Sequence, residues 1–475
     1  MPFQEYESYD MLGLAQLIRE RAVSAGEVLS AALDRIERLN PRFNAVTFVL
    51  EDLARRQIAG GLPAGPLSGV PYLMKDLYQL YAGAPVSNGS RLFDGFIADH
   101  DSTLVERLKA AGIVIVGRSN TPEFGLNATT EPLRFGPTRN PWKPSHSAGG
   151  SSGGASAAVA AGMVPAAHAT DGGGSIRIPA SHCGLFGLKP TRGRNPAGPD
   201  VGEGWSGLAA GHAVTRSVRD SAALLDATSG PAPGDPYWAP PRRRPFIEEV
   251  GADPGKLRIA LNVEHLAGGR VSPVTRDAAE EAARLLEGLG HHVEQAAPTI
   301  DAEGAMRAIR TIIAANLAAG IGYRLASLGR KKLGPGDVEN ITALWAEEGR
   351  RLAAADYAAA ITTIHGIGRR FGAFFQRYDV LLSPVVAGPP VPLGTFDMMG
   401  KDLDAYFNKL FGYVCFTGQF NFSGGPAASV PFHWTGEGLP VGVQIGADLG
   451  HEALLFRLAS QIEAARPWSD KRPAM

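Results

Sequence analysis

Gly69-Val70-Pro71-Tyr72-Leu73-Met74-Lys75-Asp76 is the stretch on which the fold turns. Val70 to Met74 is apolar without alternation, the pattern of a strand buried on both faces, and it runs straight into two charged residues. Ile113-Val114-Ile115-Val116, bounded by Gly112 and Gly117, repeats that pattern. Thr103 to Ala111 between them has helical spacing, so strand, helix and strand alternate as in an α/β protein.

Upstream, Met11 to Asn40 reads as two helices. Ser24 and Glu27 form a capping box ahead of the Val28, Leu29, Ala32, Ile36 stripe, and Pro41 is expected to stop the second helix at Asn40. Downstream, Ala148 to Pro190 is the densest Gly/Ser/Ala region. A short helix over Val218 to Ser229 leads to Pro231–Pro245, read as a long exposed connection whose Arg242-Arg243-Arg244 is solvated. Strands are predicted at Leu257–Val263, Gly290–Glu294, Val380–Pro384 and Gly442–Ile445. Helices are predicted over Ala302–Leu328, Asp337–Arg377 and Leu454–Ala465.

Composition narrows the class. With 475 residues, 44% of them hydrophobic and 20% charged, the chain is long and apolar enough to bury a substantial core. A net charge of −1 and the lack of a long Lys/Arg run argue against a nucleic-acid partner. Two cysteines, Cys183 and Cys415, make neither a disulfide framework nor a metal-type pair, which suits a reducing compartment. Met1 to Asp10 lacks the layout of a signal peptide and no run of eighteen apolar residues occurs, so a cytoplasmic protein outside the membrane is expected.

Two glycine clusters carry the candidate chemistry: Gly149-Gly150-Ser151-Ser152-Gly153-Gly154 and Asp171-Gly172-Gly173-Gly174-Ser175-Ile176-Arg177. A serine directly after three glycines can sit beside exposed backbone N–H donors, the arrangement an oxyanion needs. A flexible linker is the plain alternative, but the helix-forming run Ala155–Ala161 follows at once. A phosphate cradle lacks its GxxxxGK[ST] pattern. Gly149 to Gly153 satisfies G-x-S-x-G, yet that elbow needs a buried strand just upstream, and Pro141 to Ser147, with two prolines, is read as no strand. His168, close to Ser175 in sequence, is read as a buried, hydrogen-bonded histidine.

Taken in order, Gly69–Asp76, Gly149–Gly154, Asp171–Pro179 and Cys183–Thr191 resemble the amidase signature family. Ser151 and Ser175 lie 24 positions apart, the family's spacing. Further matches fall at Gly117–Glu123, Thr138–Trp142, Asn421–Pro431 and Gly438–Gln444. The Thr130–Trp142 stretch is most similar to the branch of 6-aminohexanoate cyclic dimer hydrolases. One departure is Gly172, where many relatives carry a bulkier residue after the aspartate.

The resemblance implies one fold spanning 1–475, α/β, with a large twisted mixed β-sheet covered by helices on both sides. Within it are expected a helical N-terminal arm (about 10–40), a catalytic core (about 65–230), a helix-rich substrate cap (about 300–377) and a C-terminal sheet and helix (about 378–475). It implies an amidohydrolase, with carbamates and esters as extensions, working through an acyl-enzyme and needing no cofactor or metal. Ser175 would be the nucleophile, Ser151 the proton shuttle behind a cis Gly150–Ser151 peptide, and Lys75 the base. Oxyanion donors would fall on Gly172, Gly173, Gly174 and Ser175, with Ser152, Asp171 and Arg177 in support. Candidate pocket segments are Gly125-Leu126-Asn127-Ala128, the loop around Trp205, Ile309–Tyr323 and Met398–Phe416. The expected partner is a small amide or carbamate, with the chain acting as monomer or homodimer. The alternative is a glutamine-dependent amidotransferase of the A type, which uses the same residues and works with partner proteins; a non-enzymatic binding protein would leave them bystanders.

Overall fold

The computed structural model describes residues 3–475. Its strands run in chain order as β1 (Val46–Val49), β2 (Pro71–Lys75), β3 (Val114–Ser119), β4 (Arg139–Asn140), β5 (Lys143–Ser147), β6 (Ala166–Asp171), β7 (Phe186–Lys189), β8 (Ala210–Thr215), β9 (Arg258–Leu261), β10 (His292–Gln295), β11 (Val380–Pro384), β12 (Ala427–Trp434) and β13 (Pro440–Gly446). Eleven of these form one sheet in the order β1-β3-β2-β6-β8-β7-β12-β13-β11-β9-β10. The sheet is mixed: β2 runs parallel to β3 and β6, whereas β6 with β8 and β12 with β13 are antiparallel.

Side-chain alternation explains the continuous apolar runs. On β2, Leu73 joins an apolar cluster with Val114 and Val116 of β3, while Tyr72 and Met74 join a different one with Ile115. β9 divides in the same way, Ile259 to one side and Ala260 to the other, and β11 sends Leu382 and Leu381 to those same two sides. A strand that is apolar at every position is therefore a strand with two dry faces. Helices Pro273–Gly288 and Glu452–Ala465 cover one face of this half of the sheet, and helices Ala302–Ser327, Asn340–Arg351, Ala354–Phe374 and Leu403–Tyr413 pack over the other. Among the described residues no helix is long and apolar enough to cross a membrane.

Two local expectations need correction, and a third holds. The second helix, Ala25–Phe43, passes through Pro41. Proline in the last turn forfeits only one backbone bond, and the buried Phe43 side chain and the left-handed Asn44, whose N–H donates to the Asn40 carbonyl, hold the extra turn. Pro141–Ser147, read as no strand, contains β5, which pairs with β4 in a separate hairpin. Pro144 is tolerated there because it falls in the register shift between the pairs Arg139–Ser147 and Asn140–Lys143, where no ladder donor is required. The 231–245 connection is without helix or strand and its three arginines are exposed as expected, Arg242 pairing with Asp226 and Arg244 with Glu249 at the surface.

Candidate active site

Parallel pairing of β2 with β6 brings their C-terminal ends together, so Lys75 finishes beside Thr170 and Asp171. The Gly149–Gly154 turn crosses in front of them and enters helix Gly153–Ala160. Gly150 is required by close approach, since a Cβ there would lie 2.6 Å from the carbonyl oxygens of both Asn127 and Thr129. The Gly150–Ser151 peptide is cis.

Lys75 is fully buried, with Nζ 2.7 Å from Ser151 Oγ and 2.9 Å from both Ser152 Oγ and Thr170 Oγ1. Burial drives its pKa well below the usual lysine value, opposed by the charge of Asp171. Ser152 donates its own hydroxyl proton to the Thr170 carbonyl at 3.3 Å and so faces Nζ as an acceptor. A neutral amine has two protons and one lone pair; one that gave its protons to Ser152 and Thr170 would direct the lone pair at Ser151.

Thr170 was not singled out in the sequence, although its place at the end of a strand abutting the second glycine cluster was a usable signal. Thr170→Val should move the acidic limb of the kcat/KM profile to lower pH, because both forms of Lys75 lose the Thr170 acceptor but the charge-assisted bond of the ammonium is the stronger one lost. A pH–rate profile of the variant checks this; a limb unmoved or moved upward contradicts it.

Asp171 and Arg177 are fully buried and paired: Nε lies 2.9 Å from Oδ2 and Nη2 2.8 Å from Oδ1. The other guanidinium protons go to Asn421 Oδ1 at 2.7 Å, the Thr417 carbonyl at 2.8 Å and Gln444 Oε1 at 2.7 Å, so all five donors are engaged. Burial raises the Asp171 pKa, but Arg177 more than offsets it and holds the carboxyl at about 2.

This carboxylate shapes the second glycine loop. Its Oδ1 accepts the Gly174 N–H at 2.7 Å and its Oδ2 the Ile176 N–H at 3.2 Å, while Thr417 Oγ1 donates to the Gly173 carbonyl at 2.6 Å. Gly174 is thereby removed from the expected donor set, because its N–H is turned into the aspartate. The N–H groups of Gly172, Gly173 and Ser175 are taken by no intramolecular acceptor among the described residues. Asn421 and Thr417, unassigned from sequence, are the residues that clamp this loop from the far end of the chain.

Ser175 is half-buried and borders a pocket with Gly150 and Gly173. No hydrogen bond joins it to Ser151 among the described residues. His168 is buried as expected, but neither ring nitrogen has a hydrogen-bond partner among the described residues, which corrects that part of the reading. Burial, with Lys75 nearby, lowers its pKa to about 3 and keeps it neutral.

The pocket has a volume of about 50 Å³. Residues from all four candidate segments surround it: Gly125, Leu126 and Asn127, then Trp205, then Ile313, then Phe411. No charged side chain lines it, and the one amide, Asn127, is occupied with the Phe396 carbonyl and the Thr129 N–H. Ile178 and Trp345 complete the apolar wall and were not foreseen.

The Amidase family profile matches residues 27–456. The chain belongs to the amidase signature family. It is an enzyme that acts on amide C–N bonds. It is 38% identical over 478 aligned positions to the 6-aminohexanoate-cyclic-dimer hydrolase of Paenarthrobacter ureafaciens, covering 98% of this chain and 96% of that one. A solved structure of 6-aminohexanoate cyclic dimer hydrolase superposes with a TM-score of 0.92 at 37% identity, covering 98% and 99% of the two chains. The A-type chain of the glutamyl-tRNA(Gln) amidotransferase of Thermotoga maritima is more distant, with a TM-score of 0.76 at 29% identity over 98% of this amidase and 97% of that chain.

Proposed function

We propose that this amidase hydrolyses uncharged linear or cyclic carboxylic amides through an acyl-enzyme, with Ser175 as nucleophile, Ser151 as proton shuttle and Lys75 as base. The observation that carries the reading is the buried Lys75 Nζ standing 2.7 Å from Ser151 Oγ with its other neighbours engaged as acceptors. Neutral Lys75 draws the proton of Ser151 as Ser151 takes that of Ser175, and Ser175 Oγ attacks the carbonyl carbon. Negative charge on the carbonyl oxygen is met by the N–H groups of Gly172, Gly173 and Ser175. Ser151 then returns its proton to the leaving nitrogen as the C–N bond breaks, and water releases the acyl group by the same relay. Carbamates and esters present the same carbonyl and are natural extensions. Helices Ala302–Ser327, Asn340–Arg351 and Ala354–Phe374 act as a substrate cap.

An uncharged apolar pocket favours substrates whose bound half carries no charge, since an ion there would lose its hydration without a partner. The purified chain, as monomer or homodimer, should therefore release amine from neutral anilides, cyclic oligoamides and aryl carbamates without any other protein. Ammonia release from glutamine that appears only when partner proteins are added, with none of those substrates cleaved, would establish the amidotransferase instead.

A further inference from the structure

Trp205 and Ser206 both have positive φ, 48° and 56°, a backbone region that residues with side chains rarely occupy. They are held there from two directions. Ser206 Oγ hydrogen-bonds the Tyr357 hydroxyl on helix Ala354–Phe374 and accepts from Asn316 Nδ2 on helix Ala302–Ser327 at 3.3 Å. On the opposite side the Leu208 carbonyl lies 3.0 Å from Asn421 Nδ2, the amide that also stands 2.9 Å from the Asp171 carbonyl. The Trp205 loop is thus tied both to the cap and to the clamp of the nucleophile loop.

The six-membered ring of its indole abuts Gly172. A Cβ at position 172 would sit 2.8 Å from Trp205 Cε3 and 2.9 Å from Cζ3. Gly172 has no positive φ, so it is the indole rather than the backbone that demands glycine here. The missing side chain at 172 and the ring that takes its place are one feature, and that ring forms the pocket wall next to Gly173 and Ser175.

We infer that Trp205, seated on Gly172 and pinned through Ser206, is the residue that selects for substrate shape: it admits flat or unbranched uncharged groups along the indole face and excludes groups branched next to the scissile bond. A wall fixed at both ends cannot yield to an extra methyl, whereas an extended chain or an aryl ring gains contact along a planar surface. This rests on the proposal that Ser175 is the nucleophile of the same pocket.

The test uses the purified enzyme and paired neutral amides, one pair differing by a methyl branch beside the carbonyl and one by a branch beside the nitrogen. Trp205→Ala should raise the branched-to-unbranched ratio of kcat/KM at least tenfold for one pair, and the pair that responds tells which half of the substrate occupies the pocket. Trp205→Phe should keep most of the parental ratio. Gly172→Ala, which retains its N–H but drives a methyl into the indole, should lower kcat/KM on unbranched substrates at least tenfold, and adding Trp205→Ala should restore most of that loss. Ratios within twofold of the parent in an active Trp205→Ala protein, or a Gly172→Ala loss that Trp205→Ala does not relieve, overturn the inference. Should Trp205→Ala fail to fold, Ser206→Ala decides: with its loop released from Tyr357 and Asn316 it should raise the branched ratio, and an unchanged ratio overturns the inference. Ratios that stay put while Lys75→Ala and Ser175→Ala are inactive sink this inference alone; activity surviving in those two variants sinks the catalytic reading alone.

Discussion

Lys75→Ala is expected to lower kcat by about 10²–10⁴-fold, the range for loss of a positioned general base, with the larger values favoured because Ser151 loses its proton acceptor at the same time. Substrate binding should change far less, since Lys75 lies behind Ser151 and is absent from the pocket wall. The parent's pH profile should report the same group. Only the neutral amine accepts a proton, so kcat/KM should rise with pH as Nζ deprotonates and level off well below ~10.4, the ordinary lysine value. The direction follows from burial, which disfavours the ammonium. Steady-state kinetics on a neutral anilide measure both effects. A variant with parental kcat, or a limb at the pH of an exposed lysine, would remove Lys75 from the mechanism.

Asp171→Ala should cost about 3–5 kcal/mol of folding stability, because it leaves the Arg177 guanidinium buried without its counter-charge. The backbone donors of Gly174 and Ile176 lose their acceptor as well, so the loop that carries Ser175 slackens and activity falls with stability. Asp171→Asn keeps the shape but not the charge and should fall between the two. A pH signature accompanies the pair. The folded carboxyl titrates at about 2, below the ordinary ~3.9, so between those values the unfolded chain binds the proton more readily. Its stabilisation is present in full above ~3.9 and is lost as pH falls toward 2, amounting to roughly 2–3 kcal/mol at ~1.36 kcal/mol per unit. Denaturant unfolding across that range, compared with Asp171→Asn, measures it. Equal slopes in parent and variant would show that the pair is not what acid disrupts.

The parts of this molecule that could be read from the chain share one property: they are local. Continuous apolar runs announced strands with two dry faces, helical spacing announced the covering helices, and glycine next to serine announced backbone that must turn sharply. Lys75, Ser151 and Ser152 could be named because the segments that hold them, taken together, resemble the amidase signature family. Pro41 and Pro144 were misread because a proline's cost depends on whether its lost donor had a partner, which only the last turn of a helix or the register shift of a hairpin answers.

What the tertiary structure decided lies between segments. That Thr170 is a third hydroxyl on Lys75, that Gly174 spends its N–H on Asp171, and that Asn421 and Thr417 reach back some 240 to 250 positions to clamp the loop are consequences of chain ends meeting across a sheet. Sequence by itself determined β2, β3, β9, β10, β11, β13 and most of the covering helices, because periodicity acts over a few neighbours, and its resemblance to a family named the candidate reacting groups. Which donors stay unengaged and which ring fills the space over Gly172 were settled only by packing, since those depend on atoms brought together from opposite ends of the chain.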